Sequence, residues 1–248
     1  MKVLSVINHK GGVGKTTLVI ILSRLLGEET RLLVVDLDPQ GALTVSFLGR
    51  ELEDDEQSIE NLLLGEKVSP VRIGEKFDLI PSRLSLATIE PKLIGAIGRE
   101  YKLQRGLRQF FDKGYDLVLI DCPPDLGIFT INAIVASDGI LIPVETRFYG
   151  IRGLRQLFRV IDEVREYLGK EIDVLGIVPN FFEKNVNLHK EVLQALQKLP
   201  YRVFPPIPKR ISLSLLSLSG KVETFDDKTE KSVKVIVEEV KKWLRKEK

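Results

Sequence analysis

The stretch Asn8–Thr17 reads NHKGGVGKTT and follows the apolar run KVLSVI at Lys2–Ile7. An apolar strand pattern, closely spaced glycines, then Lys-Thr at the start of a helical pattern is the order of a phosphate-binding loop. The generic form G-x-x-x-x-G-K-[ST] fails at one position. Counting back from Gly14-Lys15-Thr16, the first glycine should stand where the chain has His9, and a second lysine, Lys10, precedes the glycine pair. Gly11, Gly12 and Gly14, with Val13 between them, let the backbone turn tightly and aim N–H groups at an anion. The following helix adds the positive end of its dipole. Lys15 is placed to reach the outer phosphates of a nucleotide, and the Thr16 hydroxyl is the natural Mg²⁺ ligand. One lysine suffices for that chemistry, so Lys10 needs a separate explanation.

Working outward, short apolar runs alternate with helical patterns. Lys2–Ile7, Leu32–Val35, Phe77–Ile80, Tyr115–Ile120, Gly139–Val144, Val174–Val178 and Arg202–Phe204 read as strands, several apolar nearly throughout, as strands covered on both faces must be. Leu18, Ile21, Leu22 and Leu25 share one face of a helix, and Leu154, Leu157, Phe158, Ile161, Val164 and Leu168 share another. This alternation predicts an α/β fold with a mostly parallel central sheet flanked by helices on both faces, and ligands at the carboxyl ends of the strands. No repeat or linker interrupts it, so residues 1–248 read as one domain. The acidic run Glu51–Gln57 reads as a solvated loop, and the proline-rich Phe204–Arg210 as a shaped one.

Composition narrows the classes. Apolar residues make up 44% and charged residues 29% of the 248, an ordinary globular balance. The net charge of +2 means that nucleic-acid contact must come from a local patch. The single cysteine, Cys122, cannot form an internal disulfide, which fits a reducing cytoplasm. The N-terminus lacks the apolar core of a signal peptide, and no stretch approaches the roughly 20 apolar residues that span a bilayer.

Three aspartates end strands or follow them. Asp36 and Asp38 lie in LLVVDLDPQG; two residues apart on an extended chain, they point the same way and could hold a metal's water shell or an attacking water. Solubilising turn residues are the competing reading. Asp121 closes the apolar run in YDLVLIDCPPDLG, as a Walker-B acid does, and Pro123-Pro124 then break the strand. Cys122 beside it reads as a packed thiol rather than a nucleophile.

KGGVGKTT, VVDLDPQG, YDLVLIDCPPDLG and DGILIPVETRFYGIRGL together resemble the ParA/Soj partition ATPases of the deviant-Walker group, over nearly the whole chain. The resemblance implies a deviant P-loop NTPase that uses ATP and Mg²⁺ and forms a homodimer with two ATP molecules between the subunits. It implies binding of non-specific DNA by the ATP dimer, release through hydrolysis stimulated by a ParB-like centromere-binding protein, and a cytoplasmic, nucleoid-associated location. Carried over by position, Lys15, Thr16 and Thr17 hold phosphate and Mg²⁺. Asp38 positions the attacking water, and Asp121 is the Walker-B acid. Asn180 reads the adenine that the loop around Pro208 covers, although Asn180 also reads simply as a turn residue ending a strand. The signature lysine, Lys10, crosses to the other subunit's ATP; a surface lysine with only a general field effect is the alternative. Where relatives place a DNA-contacting arginine this chain has Ser212, with Lys209 and Arg210 close by, and the second contact position falls on Lys190. Relatives often carry acids where Arg147 and Arg152 stand.

Two rival functions remain. In the C-terminal SVKVIVEEVKKWLRKEK, residues Val233, Ile236, Val237, Val240 and Leu244 share a helical face with basic residues beyond, which would suit a MinD-like membrane-cycling ATPase. A helix packed on its own domain is the competing reading and the preferred one, so no stable membrane association is expected. A cofactor-synthesis ligase or metal-insertion ATPase would call for extra cysteines or a substrate domain, and neither is visible.

Overall fold

Strand β1 (Lys2–Val6) carries the loop, and its side chains alternate between two apolar layers: Val3 packs in one buried cluster, Leu4 and Val6 in the other. The same alternation runs through β2 (Leu32–Asp36), with Leu33 and Val35 on one face and Leu32 and Val34 on the other. Strands apolar on both faces must be covered on both faces. In the computed structural model, which describes residues 1–147, 149–209 and 227–246, they are. One cover contains α1 (Lys15–Leu26) and the C-terminal helix, here α9 (Asp227–Arg245). The other contains α3 (Ile59–Leu63), α5 (Lys102–Leu107), α6 (Ile128–Ala136), α7 (Tyr149–Leu168) and α8 (Asn187–Leu196). Among the described residues there are also the short helices α2 (Ala42–Leu48) and α4 (Glu90–Ile94).

The remaining strands are β3 (Val71–Arg72), β4 (Phe77–Ile80), β5 (Leu117–Asp121), β6 (Gly139–Glu145) and β7 (Asp173–Asn180). They form one sheet in the order β3-β4-β2-β5-β1-β6-β7. All pairings are parallel except β3 with β4. The register sets Val6 and Asp36 on either side of Asp121, and Glu145 beside Asn180. The loop and the acids therefore gather at one edge of the sheet, as a parallel α/β topology requires.

One expected strand is reduced to a bridge. Arg202–Phe204 is not a full strand: Val203 makes a single parallel bridge to Ile177, with hydrogen bonds from Ile177 N to Arg202 O and from Phe204 N to Ile177 O. The two-residue β3 was too short to show a period. The apolar face of α9 is closed to lipid. Val233, Ile236, Val237 and Val240 are buried in the cluster with α1, Leu244 packs against it, and Trp243 is 4% exposed. Trp243 lies over Gly139, where a Cβ would come within 2.8 Å of the indole, and its Nε1 donates to Asp173 Oδ2 at 3.0 Å. Among the described residues no helix is long and apolar enough to cross a membrane.

Ile236→Ala should therefore cost about 2–5 kcal/mol of folding stability in a urea titration, the usual range for emptying a packed aliphatic site. Unchanged stability with reduced co-sedimentation on liposomes would show instead that this face serves a membrane.

Candidate nucleotide site

The loop between β1 and α1 is held from behind before any ligand is considered. Asn8, buried, donates through Nδ2 to Pro143 O on β6 at 2.7 Å and accepts the Lys10 N–H through Oδ1 at 3.0 Å. Asn180, the last residue of β7, donates through Nδ2 to Val13 O at 2.9 Å and accepts the Phe181 N–H through Oδ1. Gly12 and Gly14 take φ values of 73° and 90°, and a Cβ on Gly14 would collide with Asn180 Nδ2. Glycine at 14 is thus demanded twice, by the backbone and by the neighbouring strand. His9 occupies the place of the missing first glycine because helix α7 makes room for it: a Cβ on Gly153 would fall on the imidazole. Burial first, then Lys15 and Lys10, lower the His9 pKa, so the loop gains no third positive charge there.

The cleft in front of the loop encloses about 320 Å³. The loop residues from Gly11 to Thr17, without Val13, line it together with Asp38, Pro124 and Asn180 and the apolar Leu18, Ile21, Phe181 and Ile207. A lining that combines phosphate-binding loop, carboxylate and apolar side chains suits a nucleoside phosphate. Phe181, which the sequence reading did not single out, is the one non-glycine residue with positive φ among the described residues, at 56°. Such strain on a bulky residue concentrates at functional sites.

Lys15 is 7% exposed, and its Nζ donates to Lys10 O at 3.3 Å. Burial lowers its pKa, while Asp121, Cys122, Asp38 and Asp125 push the other way. Asp121 is 1% exposed; the Thr16 hydroxyl lies close enough to act on its carboxylate, but neither oxygen receives a hydrogen bond of ordinary geometry. Burial, then the Asp36 carboxylate, raises its pKa well above the ordinary value, against the pull of Thr16 and Lys15. A buried carboxylate without such a bond beside a threonine hydroxyl fits a hydrated divalent cation. No cluster of three or more His, Cys, Asp or Glu side chains forms a self-sufficient metal cage among the described residues. Mg²⁺ shared with phosphate and water needs none.

Asp36 and Asp38 do not share an orientation as expected. The strand ends at Asp36, so the alternation rule stops there. Asp36 is fully buried. Its Oδ2 accepts from Thr44 N and Oγ1 at 2.9 and 2.7 Å, and its Oδ1 accepts from Asp38 N at 3.1 Å. Burial raises its pKa to about 7. Both Asp36 oxygens are thus engaged by the turn that follows β2, and Asp36 is not among the residues lining the cleft. Asp38 does face the cleft; its Oδ1 accepts from Gln40 N at 2.9 Å, and burial, opposed by Lys15, raises its pKa.

The other expected residues are distributed as follows. Ile207 lines the cleft, while Pro208 pairs with Phe182 beside it. Lys10 is not among the residues lining the cleft, and its Nζ lies 2.7 Å from Glu145 Oε2. Lys190 is exposed on α8, next to His189, whose Nδ1 accepts the Glu183 N–H. Lys209 is exposed and lies 3.5 Å from Glu183 Oε1, so the two lysines flank one segment. Arg210 and Ser212 lie outside the described residues. Cys122 is buried and its thiol pKa is raised by burial, as a packed residue's should be.

Gly14→Ala tests the cleft floor. The strained φ and the collision with Asn180 should lower stability by about 1–2 kcal/mol and ATP affinity by at least about tenfold, read by urea titration and calorimetric titration with ATP and Mg²⁺. Wild-type affinity in that variant would mean that the phosphates bind elsewhere.

The chain is similar to known proteins over most of its length. The model of an AAA domain matches residues 1–174. The sporulation initiation inhibitor protein Soj of Bacillus subtilis is 36% identical over 227 residues, covering 89% of this chain and 89% of Soj. The chromosome partitioning protein ParA of Myxococcus xanthus is 33% identical over 228 residues, covering 89% of this chain and 80% of that protein. Among solved structures, cobyrinic acid a,c-diamide synthase from Mycobacterium smegmatis, with bound ATP analog and magnesium, superposes with a TM-score of 0.83 at 32% identity, covering 99% of this chain and 96% of that one. With the loop, the strand-end acids and the sheet order in place, the chain belongs to the ParA/Soj-type family of partition ATPases.

Proposed function

We propose that the protein is an ATP-driven dimeric switch for DNA partition. Two subunits close on two ATP molecules, the closed dimer holds duplex DNA without sequence preference, and hydrolysis stimulated by a ParB-like partner releases it. The observation that carries this reading is the placement of Lys10. The cleft already has a buried lysine for the phosphates, and the loop's second ammonium is not part of its lining but is paired with Glu145. A cation on the rim of an anion site is placed to serve a neighbouring subunit, as an arginine finger supplied in trans does.

Within the subunit each residue has a distinct task. The loop N–H groups and Lys15 hold the phosphates. Thr16 and Asp121 hold Mg²⁺ and its water, and bound Mg²⁺ supplies positive charge to the phosphate oxygens. Asp38 orients the attacking water from the side of the cleft. Phe181 and Ile207 wall the base end beside Asn180. The structures of the M. smegmatis relative, with an ATP analog or ADP and magnesium, support the choice of ligands. Lys190 and Lys209, and Arg210 by sequence, are the proposed DNA contacts. A second reading, ATP-dependent amide synthesis, is favoured by the name of that same relative. Turnover that responds to duplex DNA and partner, not to a corrin acid, separates the two.

Lys10→Ala should bind ATP as a monomer but fail to dimerise, whereas Lys15→Ala should lose ATP affinity itself; light scattering and calorimetry read the two properties separately. A Lys10→Ala dimer as tight as wild type refutes the trans role.

Asp38→Ala should keep the ATP dimer and lose most turnover, so that it stays on non-specific duplex DNA. That binding should fall steeply between 50 and 200 mM salt, on the order of the slopes of phosphate-neutralising proteins. DNA binding that is insensitive to salt or independent of ATP would remove the switch from the account.

A further inference from the structure

Glu145 is the last residue of β6 and is shared by two cations. Its Oε2 lies 2.7 Å from Lys10 Nζ, and its Oε1 lies 2.8 Å from Arg147 Nε. The three side chains differ in exposure: 13% for Glu145, 35% for Lys10 and 58% for Arg147. The carboxylate is thus the most enclosed member, with one cation on the loop and one on the outside. The same strand also fixes the loop backbone, through Asn8 and Pro143 O. Thr146, next in sequence, donates from both N and Oγ1 to Asn180 O, at 3.0 and 3.1 Å. Asn180 in turn holds Val13 O. The end of β6 is therefore rigidly set against the loop, and Lys10 meets a preformed acceptor.

We infer that Glu145 is a positioning residue that parks Lys10 within its own subunit until a second ATP-loaded subunit arrives, while Arg147 keeps the carboxylate paired when Lys10 leaves. The inference rests on the proposed trans role of Lys10. Removing one partner from an enclosed ion pair normally leaves an uncompensated charge, and that cost would hold the pair shut. Here the second cation removes most of the cost, because Arg147 already occupies the other oxygen and stays. Lys10 is then free to exchange one carboxylate for the denser negative charge of a triphosphate. The parked lysine is also kept away from its own cleft, where Lys15 already lies. The contact sets a threshold for dimerisation: ATP binding to one subunit leaves the pair intact, and only a second triphosphate brought to the rim competes for Lys10.

Three variants of the full chain test this by their dependence on one another. Glu145→Gln keeps the side chain's shape and unparks Lys10. It should tighten the ATP-dependent dimer on the order of fivefold, as removal of a competing ion pair allows, with monomer ATP affinity unchanged. Arg147→Ala leaves Glu145 to Lys10 alone and should weaken the dimer by a similar factor. A general field effect of surface charge would give those same two signs, but it would make the double variant resemble wild type, since the two charge changes cancel. Parking requires that the double variant match Glu145→Gln, because Arg147 acts only through the carboxylate. Dimer dissociation constants from light scattering with ATP and Mg²⁺ decide it. A tighter double variant supports the inference; an additive, wild-type-like double variant, or a Glu145→Gln dimer no tighter than wild type, overturns it. Lys10→Ala in the same assay separates the two readings. If Lys10→Ala still dimerises, the trans role itself fails; if it does not dimerise but Glu145→Gln gives no gain, only the parking role fails.

Discussion

Lys15 is an ammonium buried to 7% exposure, and the rest of the site is arranged around keeping it there. A charge withdrawn from water needs opposite charge close by. The strand ends supply it: Asp121 from β5, with Asp38 beyond β2 and Asp125 beyond β5. Burial first, then the neighbouring Asp36 carboxylate, pushes the Asp121 pKa up. The acids outnumber the ammonium around the cleft, which suits the divalent cation that the proposed function assigns there. A parallel sheet whose strands end together is what brings charges so far apart in sequence to one edge. The buried apolar layers on both faces of the sheet hold those ends in register.

The loop itself is supported less by its own sequence than by two asparagines from outside its glycine run. Asn8 ties it to β6 and Asn180 ties it to β7, so the loop is braced across β1, β6 and β7. The brace explains why Gly14 tolerates no side chain and why Phe181 is held at positive φ beside it. It also sets Asn180 beside Glu145, the residue that holds Lys10, since the two are register partners on β6 and β7.

The local chemistry was legible in the sequence wherever the pattern is local. Glycine spacing, Lys15-Thr16 and an apolar strand ending in Asp121 need no knowledge of distant residues. The alternation of elements gave the parallel sheet, because its strands must be apolar throughout. What escaped depended on pairing between distant segments. The role of Glu145 arises from its meeting Lys10 across 135 positions, and the fit of His9 on Gly153 from the approach of α7. Asp36 looked like Asp38 because the chain was read as extended through both, whereas the strand ends between them and Thr44 captures the first. The apolar stripe of α9 has the same composition whether it faces lipid or a sheet; only the sheet's uncovered face decides it.

The account turns on where Lys10 goes. The most direct measurement is a crystal structure of the ATP-bound, Mg²⁺-bound dimer of the Asp38→Ala variant. The account predicts that Lys10 Nζ has left Glu145 and lies about 3 Å from a phosphate oxygen of the ATP held by the other subunit, with Arg147 still on Glu145. A dimer in which Lys10 remains on Glu145, or turns to the ATP of its own subunit, would contradict it.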